Sequence, residues 1–458
     1  MNIMNFKDLL KNLPEVRHPV EKKLGFNVKL KWTLIVLASF FVLANIPLFG
    51  LAKNSLDRFE YLAVILGTDF GSIISLGIGP IVMASIILQL LVGSKILDID
   101  MTNEEGKKYF QGLQKLLVLF FIVFEAMVYV LMKGLQASPG FEWLVIFQLV
   151  LGGLLIFFMD EVTQKWGFGS GVSLFILAGV GWRLFTGAFQ FVGQGGVLEP
   201  SGKVIVLITS LMNGDTIGAT KSLSILLVTA GIFLVVVWAQ SLKVEVPLSY
   251  DRLRGYGIRW PLSFFYASVI PVILTAALIA NLQLFGNLIQ TAVGHPTILG
   301  NFQNGVAVGG LSRWLAAPNP SIVEQVITGS FLFSSLIQAI THAIFFIIFS
   351  VIFAIFWVKT SGMDAQNQAH NILSSGLQIP GFRKDERILE SILARYILPL
   401  TVMGGAAIGL LSSAADLLGA LTGGTSILLA VMIAYQFYSN ISQQHALDMH
   451  PALKKMTA

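Results

Sequence analysis

The sequence predicts an all-α polytopic membrane protein. It has ten transmembrane helices in two pseudo-symmetric five-helix halves, and one short half-inserted helix after the first span. Three observations carry this. Of 458 residues, 55% are hydrophobic and 12% charged, with a mean hydropathy of +0.76, against about 25% charged residues in a typical soluble domain. Apolar runs of about 20 residues, the length a spanning helix needs, recur along the whole chain. Basic residues fall unevenly between alternate loops.

The first 31 residues are polar, carry Asp8 and Glu15, and lack the apolar core and small-residue site of a cleaved signal. Phe6, Leu9, Leu10 and Leu13 stand at helical spacing, predicting a short amphipathic helix at the membrane surface. The predicted spans are Trp32–Leu51, Ile73–Val92, Leu113–Met132, Phe141–Met159, Val172–Phe191, Leu223–Ala239, Pro261–Phe285, Ile327–Trp357, Ser391–Leu411 and Gly424–Tyr438. They divide the chain into a cytoplasmic segment 1–31, a first half 32–192, an external loop 193–222, a second half 223–440 with cytoplasmic loops 241–260 and 360–390, and a tail 441–458. Ten spans place both ends on one side. Twenty-three of the thirty lysines and arginines fall on that side, so the positive-inside rule puts both termini in the cytoplasm.

The segment after the first span is irregular. Phe59–Leu66 is apolar but only about 12 Å long as a helix, too short for a core of about 30 Å. Gly67, Asp69 and Gly71 follow, then Gly77, Gly79 and Pro80. Non-helical backbone at membrane depth is tolerated only inside protein or beside water, which predicts a half-inserted helix, a break and a full helix. Two other spans open on glycines, at Gly167-Phe-Gly-Ser-Gly171 and Gly423-Gly424. Gly171-Val-Ser-Leu-Phe-Ile176 can be laid over Gly424-Thr-Ser-Ile-Leu-Leu429, which hints at a duplicated unit of five helices.

Ionisable groups within the spans are few: Glu125 and His342, with Asn281, Gln89 and Gln338 adding uncharged polarity. Asp160 and Glu161 are expected at a span end, where charge costs little. This scarcity weighs against the alternative, a secondary transporter built from two five-helix repeats, whose relays need intramembrane charge. Absence of cysteine excludes disulfides and thiolate metal sites. No phosphate loop, HExxH motif or nucleophile–base pair marks an enzyme or a cofactor site.

Longer motifs add a resemblance. Leu76-Gly-Ile-Gly-Pro-Ile-Val-Met-Ala-Ser-Ile-Ile-Leu-Gln-Leu90, Gly169-Ser-Gly-Val-Ser-Leu-Phe-Ile176, Ile270-Pro-Val-Ile-Leu274 and Gly381-Phe-Arg-Lys-Asp385 resemble the SecY family, central subunit of the protein-conducting translocon. Arg395-Tyr-Ile-Leu-Pro-Leu-Thr401 and Gly423-Gly-Thr-Ser426 resemble its archaeal branch, and the likeness runs from about Pro19 to Ser439. The resemblance implies two halves opening like a clamshell in the cell membrane. It implies a passive channel that passes secretory chains, binds signal sequences and releases hydrophobic segments sideways into lipid. A plug at 57–70 would include Phe59, Leu62, Ile65 and Leu66. A constriction ring would comprise Ile78, Val82, Val172, Ile176, Ile273 and Leu429. Ile78/Val82 and Val172/Ile176 are i,i+4 pairs, each sharing a helix face. A lateral gate would lie between the second and third helices and the seventh and eighth, with a polar cluster of Glu125 and Asn281. Met83 stands there where the family often has threonine. The loops carrying Arg252, Arg254, Arg259, Arg383, Lys384 and Arg387 would dock a ribosome. Two small single-span subunits, of SecE/gamma type and beta type, would complete the complex.

Overall fold

In the computed structural model, residues 13–20, 24–54, 70–99, 104–191, 201–250, 257–267, 269–303, 306–374, 377–378 and 385–449 are described. The helices are α1 Phe26–Ala44, α2 Gly79–Gly93, α3 Glu104–Leu131, α4 Glu142–Trp166, α5 Gly171–Phe189, α6 Lys203–Asn213, α7 Thr216–Ser241, α8 Ile270–Val293, α9 Gly310–Leu315, α10 Ile322–Ile327, α11 Phe333–Thr360, α12 Ala365–Ser374, α13 Glu386–Leu418 and α14 Gly424–Met449. Eight membrane-spanning candidates follow from length and composition. The two remaining predicted spans fall on α2, which is only 15 residues long, and on α14, whose apolar run Ile427–Ala434 gives way to polar residues from Tyr435.

Several boundaries differ from expectation. The second span was expected from Ile73, but the helix begins at Gly79. Gly77 turns the chain in the left-handed region (φ 51°), and Pro80, in the first turn of α2, suits a helix start because its missing N–H would have no partner there. Residues 70–78 are therefore irregular yet mostly buried, and their backbone bonds back to the segment just after α1: Leu48 N–H donates to Gly71 O at 2.8 Å and Ile73 N–H to Ile46 O at 2.9 Å. The first span ends at Ala44 rather than Leu51, before Asn45 and Pro47. The seventh starts at Ile270 rather than Pro261, because 257–263 is a strand. The eighth starts at Phe333 rather than Ile327, after a turn at Gly329 (φ 68°). The expected external loop 193–222 contains α6 and the start of α7.

Short strands decorate the helical bundle. β1 (Leu51–Asn54) pairs with β2 (Leu135–Ala137), and β5 (Asn301–Gln303) with β6 (Val306–Gly309). β3 (Lys243–Tyr250) and β4 (Gly257–Ser263) form an antiparallel hairpin, with Lys243 opposite Ser263 and Val246 opposite Trp260. Val246 and Leu262 are buried, which explains why an apolar run there is a half-covered strand and not the start of a span. β7 (Leu377–Gln378) extends this sheet in the order β4-β3-β7. The two loops expected to be basic and cytoplasmic, far apart in sequence, are thus zipped into one sheet.

One hydrophobic core runs through the bundle and includes residues of α1–α5, α8, α11 and α14. Glycines set the close approaches. On α4, a Cβ at Gly152 would lie 1.9 Å from Ile73 O. On α13, Gly405 and Gly409 face the backbone of α11: a Cβ at Gly405 would lie 3.2 Å from Ser350 O and one at Gly409 2.8 Å from Ile347 Cα, the tight crossing that a small-xxx-small spacing permits. The first five and last five long helices meet along two seams. In one, α2 packs on α8 and α11; in the other, α5 packs on α14.

Candidate functional site

The six aliphatic residues expected as a ring all lie in the opening turns of their helices. Ile78 is the N-cap of α2 and Val82 follows one turn on, its amide donating to Ile78 O at 3.0 Å. Val172 and Ile176 stand in the first two turns of α5, Ile273 in the first of α8, and Leu429 in the second of α14. All but Val172 are buried, Ile78, Ile176 and Leu429 completely, and all six belong to or pack against the same core. Their helices touch in sequence: α2 on α8, α8 on α14, α14 on α5.

A helix that starts inside protein must satisfy its first amides without water. Two aspartates do so. Asp160, on α4, accepts the Val172 amide at 3.0 Å through Oδ1, and its Oδ2 accepts Gln164 Nε2 at 2.7 Å. Asp416, on α13, accepts the Thr425 amide at 2.8 Å, and the Thr425 hydroxyl donates to its other oxygen. Ser412 shares a 2.8 Å hydroxyl contact with Thr425. Both aspartates are buried. Glu161 is buried as well, 2.6 Å from Lys115. The expectation that Asp160 and Glu161 sit at an inexpensive span end is therefore corrected: α4 continues to Trp166 and carries both into protein. Asp416 is not apparent from the sequence; its signal is the overlay of Gly171 on Gly424, which an aspartate precedes in each half.

His342 of α11 is buried and bonded through Nδ1 to Leu315 O at 2.6 Å. A carbonyl only accepts, so Nδ1 carries the hydrogen. Gln338 and Thr341 donate to the neighbouring carbonyls of Ala316 and Trp314 at 3.1 and 3.0 Å. These three side chains cap the C-terminal end of α9. The far nitrogen of His342 faces Asp416 Oδ2 at 3.7 Å.

Glu125 of α3 is buried, and among the described residues neither of its carboxylate oxygens is hydrogen-bonded. It faces the start of α2: a Cβ at Gly79 would lie 2.9 Å from its Oε2. Asn281 of α8 is buried and donates to Ala277 O on its own helix at 2.8 Å. Met83 is half-buried against the core. No hydrogen bond joins the three among the described residues. The far end of the α2–α8–α11 seam is closed by Phe356 of α11, whose ring would lie 2.4 Å from a Cβ at Gly93.

Phe59, Leu62, Ile65 and Leu66 lie outside the described residues, as do Arg252, Arg254, Arg383 and Lys384. Arg259 is exposed on β4, paired with Glu245 of β3 at 2.7 Å. Among the described residues no three His, Asp or Glu side chains converge as metal ligands.

Two groups of long apolar helices, joined along two seams, define a class: polytopic helical membrane proteins. A family model described as SecY matches residues 72–438. A protein translocase subunit SecY of Methanothermobacter thermautotrophicus is 46% identical, covering 98% of this chain and 97% of the relative. That of Methanocaldococcus jannaschii is 40% identical over 98% of both. A solved structure of a protein-conducting channel aligns with a TM-score of 0.83 at 38% identity over 99% of both chains. Canine Sec61, solved in a ribosome–channel complex from the endoplasmic reticulum, aligns with a TM-score of 0.79 at 37% identity, covering 99% of both chains. The chain belongs to the SecY family.

Proposed function

We propose that this multi-pass membrane protein is a passive channel that passes secretory polypeptides across the membrane and releases hydrophobic segments into lipid through the α2/α3–α8/α11 seam. The observation that carries it is that six aliphatic side chains, in the first two turns of four helices that contact one another in a chain, all belong to or pack against one core. An aliphatic waist offers nothing to replace an ion's hydration shell, so when closed it dewets and blocks ions. Stretched around an unfolded chain, it makes no sequence-specific hydrogen bonds and so accepts any sequence. In this reading Ile78, Val82, Val172, Ile176, Ile273 and Leu429 form the ring. The plug is 57–70, and both termini are cytoplasmic. The transporter alternative loses ground: Asp160 and Asp416 each spend one oxygen on a backbone amide and the other on a side-chain donor.

The test is crosslinking. The chain is reconstituted with its two small single-span partner subunits and a stalled secretory polypeptide, with a photoreactive residue at 176 or 273. Crosslinks to the polypeptide at both positions are expected. Efficient crosslinks elsewhere with none at these two would overturn the ring.

The ribosome is the proposed cytoplasmic partner. The pairing of Ser249 with Gln378 and of Tyr250 with Leu377 holds the two arginine-bearing loops side by side, as a single basic face for ribosomal RNA phosphates needs. Arg383→Glu with Lys384→Glu is expected to weaken ribosome binding. It should also lower the log–log salt slope by about one for each phosphate no longer neutralised. Unchanged affinity and slope in co-sedimentation would remove these two residues from the interface.

A further inference from the structure

The two aspartate caps form a matched pair, one in each five-helix half. In each, the fourth long helix supplies an aspartate near its end, and the fifth begins against it. The aspartate and the amide it accepts are 12 residues apart in the first half and nine in the second. Both helices open on a glycine pressed against the aspartate-bearing helix: a Cβ at Gly171 would lie 2.6 Å from Asp160 Cα, and one at Gly424 would lie 1.8 Å from the backbone carbon of Ala415. In the overlay of the two starts, Val172 falls on Thr425, so the capped amides are equivalent. Ile176 falls on Leu429, and both are fully buried.

We propose that Asp160 and Asp416 are equivalent positioning residues that fix the depth and rotation of the first turns of α5 and α14, and so hold Ile176 and Leu429 in the closed ring. The inference rests on the reading of those residues as ring members. A carboxylate that accepts amide donors at a helix start pins that turn against sliding and rotation. One turn on lies the ring residue, so a slip at the cap becomes a displacement at the waist. The pinning is local, and each aspartate acts on its own half. Asp416 has a further neighbour in His342, whose own hydrogen bond holds the end of α9.

The chain has no native cysteine, which makes the test direct. Ile176→Cys and Leu429→Cys are placed singly in the full chain, reconstituted with its partner subunits in liposomes, and labelled with a membrane-impermeant maleimide from either side. In the parent both should label slowly. Rapid labelling of the resting parent would refute the ring reading itself, and the proposal with it. Given slow parent labelling, Asp160→Ala should accelerate labelling at 176 roughly tenfold and leave 429 near the parent rate, while Asp416→Ala should do the reverse. Asp160→Asn and Asp416→Asn retain an oxygen acceptor and should stay within about twofold of the parent. If the alanine variants do not fold, Asp160→Glu and Asp416→Glu move the acceptor out by one methylene and should give the same half-selective pattern. Acceleration of both sites alike, as general loosening gives, or of neither, would overturn the proposal and leave the ring standing.

Discussion

At the scale of single residues, the closest approaches explain which glycines are replaceable. Gly424 abuts the backbone of Ala415, with no space for a Cβ, whereas a Cβ at Gly79 would meet only the flexible carboxylate end of Glu125. Gly424→Ala must move a helix and is expected to cost about 1–3 kcal/mol. Gly79→Ala should stay within about 1 kcal/mol. Unfolding midpoints in detergent check the order; equal midpoints would show that α14 can shift freely on α13. The proposed ring residues are legible only through family motifs, since an aliphatic side chain in a membrane helix is as easily lipid-facing. Their burial in one core is something periodicity alone does not give. Asp416 is invisible for a different reason. A lone carboxylate near a helix end reads as surface charge, and only its tertiary partner, the Thr425 amide, makes it a cap.

At the scale of elements, the N-terminal segment is strapped onto the bundle before α1 begins. Glu15 meets Lys115 of α3 at 2.7 Å and Lys165 of α4 at 3.5 Å. Val16 N–H donates to Glu161 at 2.7 Å, Lys165 donates to Val16 O at 2.5 Å, and Trp166 donates to Arg17 O at 3.0 Å. The strap ties α3 to α4. The hydrogen bond and charge of Lys115, with help from Lys165, hold the Glu15 carboxyl below its usual range. A depressed carboxyl contributes fully above its unfolded value and loses that contribution as pH falls through the folded one. Docking of the strap should therefore be constant from neutral pH down to about 5 and weaken below about 4. Hydrogen exchange of residues 13–20 measures it. Glu15→Gln should give faster exchange at pH 7 and flatten the acid dependence; an unchanged profile would mean the backbone bonds hold the strap alone. The strap is not legible in sequence, because Glu15 and Lys115 are 100 residues apart. Eight spanning helices are legible from apolar length and composition, whereas the short α2 and the half-polar α14 are not. Nor are helix starts, where glycine, proline and edge strands decide them, as at Gly77–Pro80 and at 257–263.

At the scale of the whole molecule, composition and charge asymmetry announce a polytopic bundle. The glycine-led starts of α5 and α14 hint at its two halves. The three-dimensional arrangement adds what pattern could not: the two seams, the joining in one sheet of two loops distant in sequence, and the one core that holds residues from the starts of four helices. In the proposed function this core seals the resting channel because it is aliphatic. The most direct test is the resting ion conductance, in planar bilayers, of the reconstituted complex carrying Ile176→Asn and Ile273→Asn. Two amides at the waist should hold water there and give a steady leak where the parent is silent. A double variant as silent as the parent would show that the seal lies elsewhere.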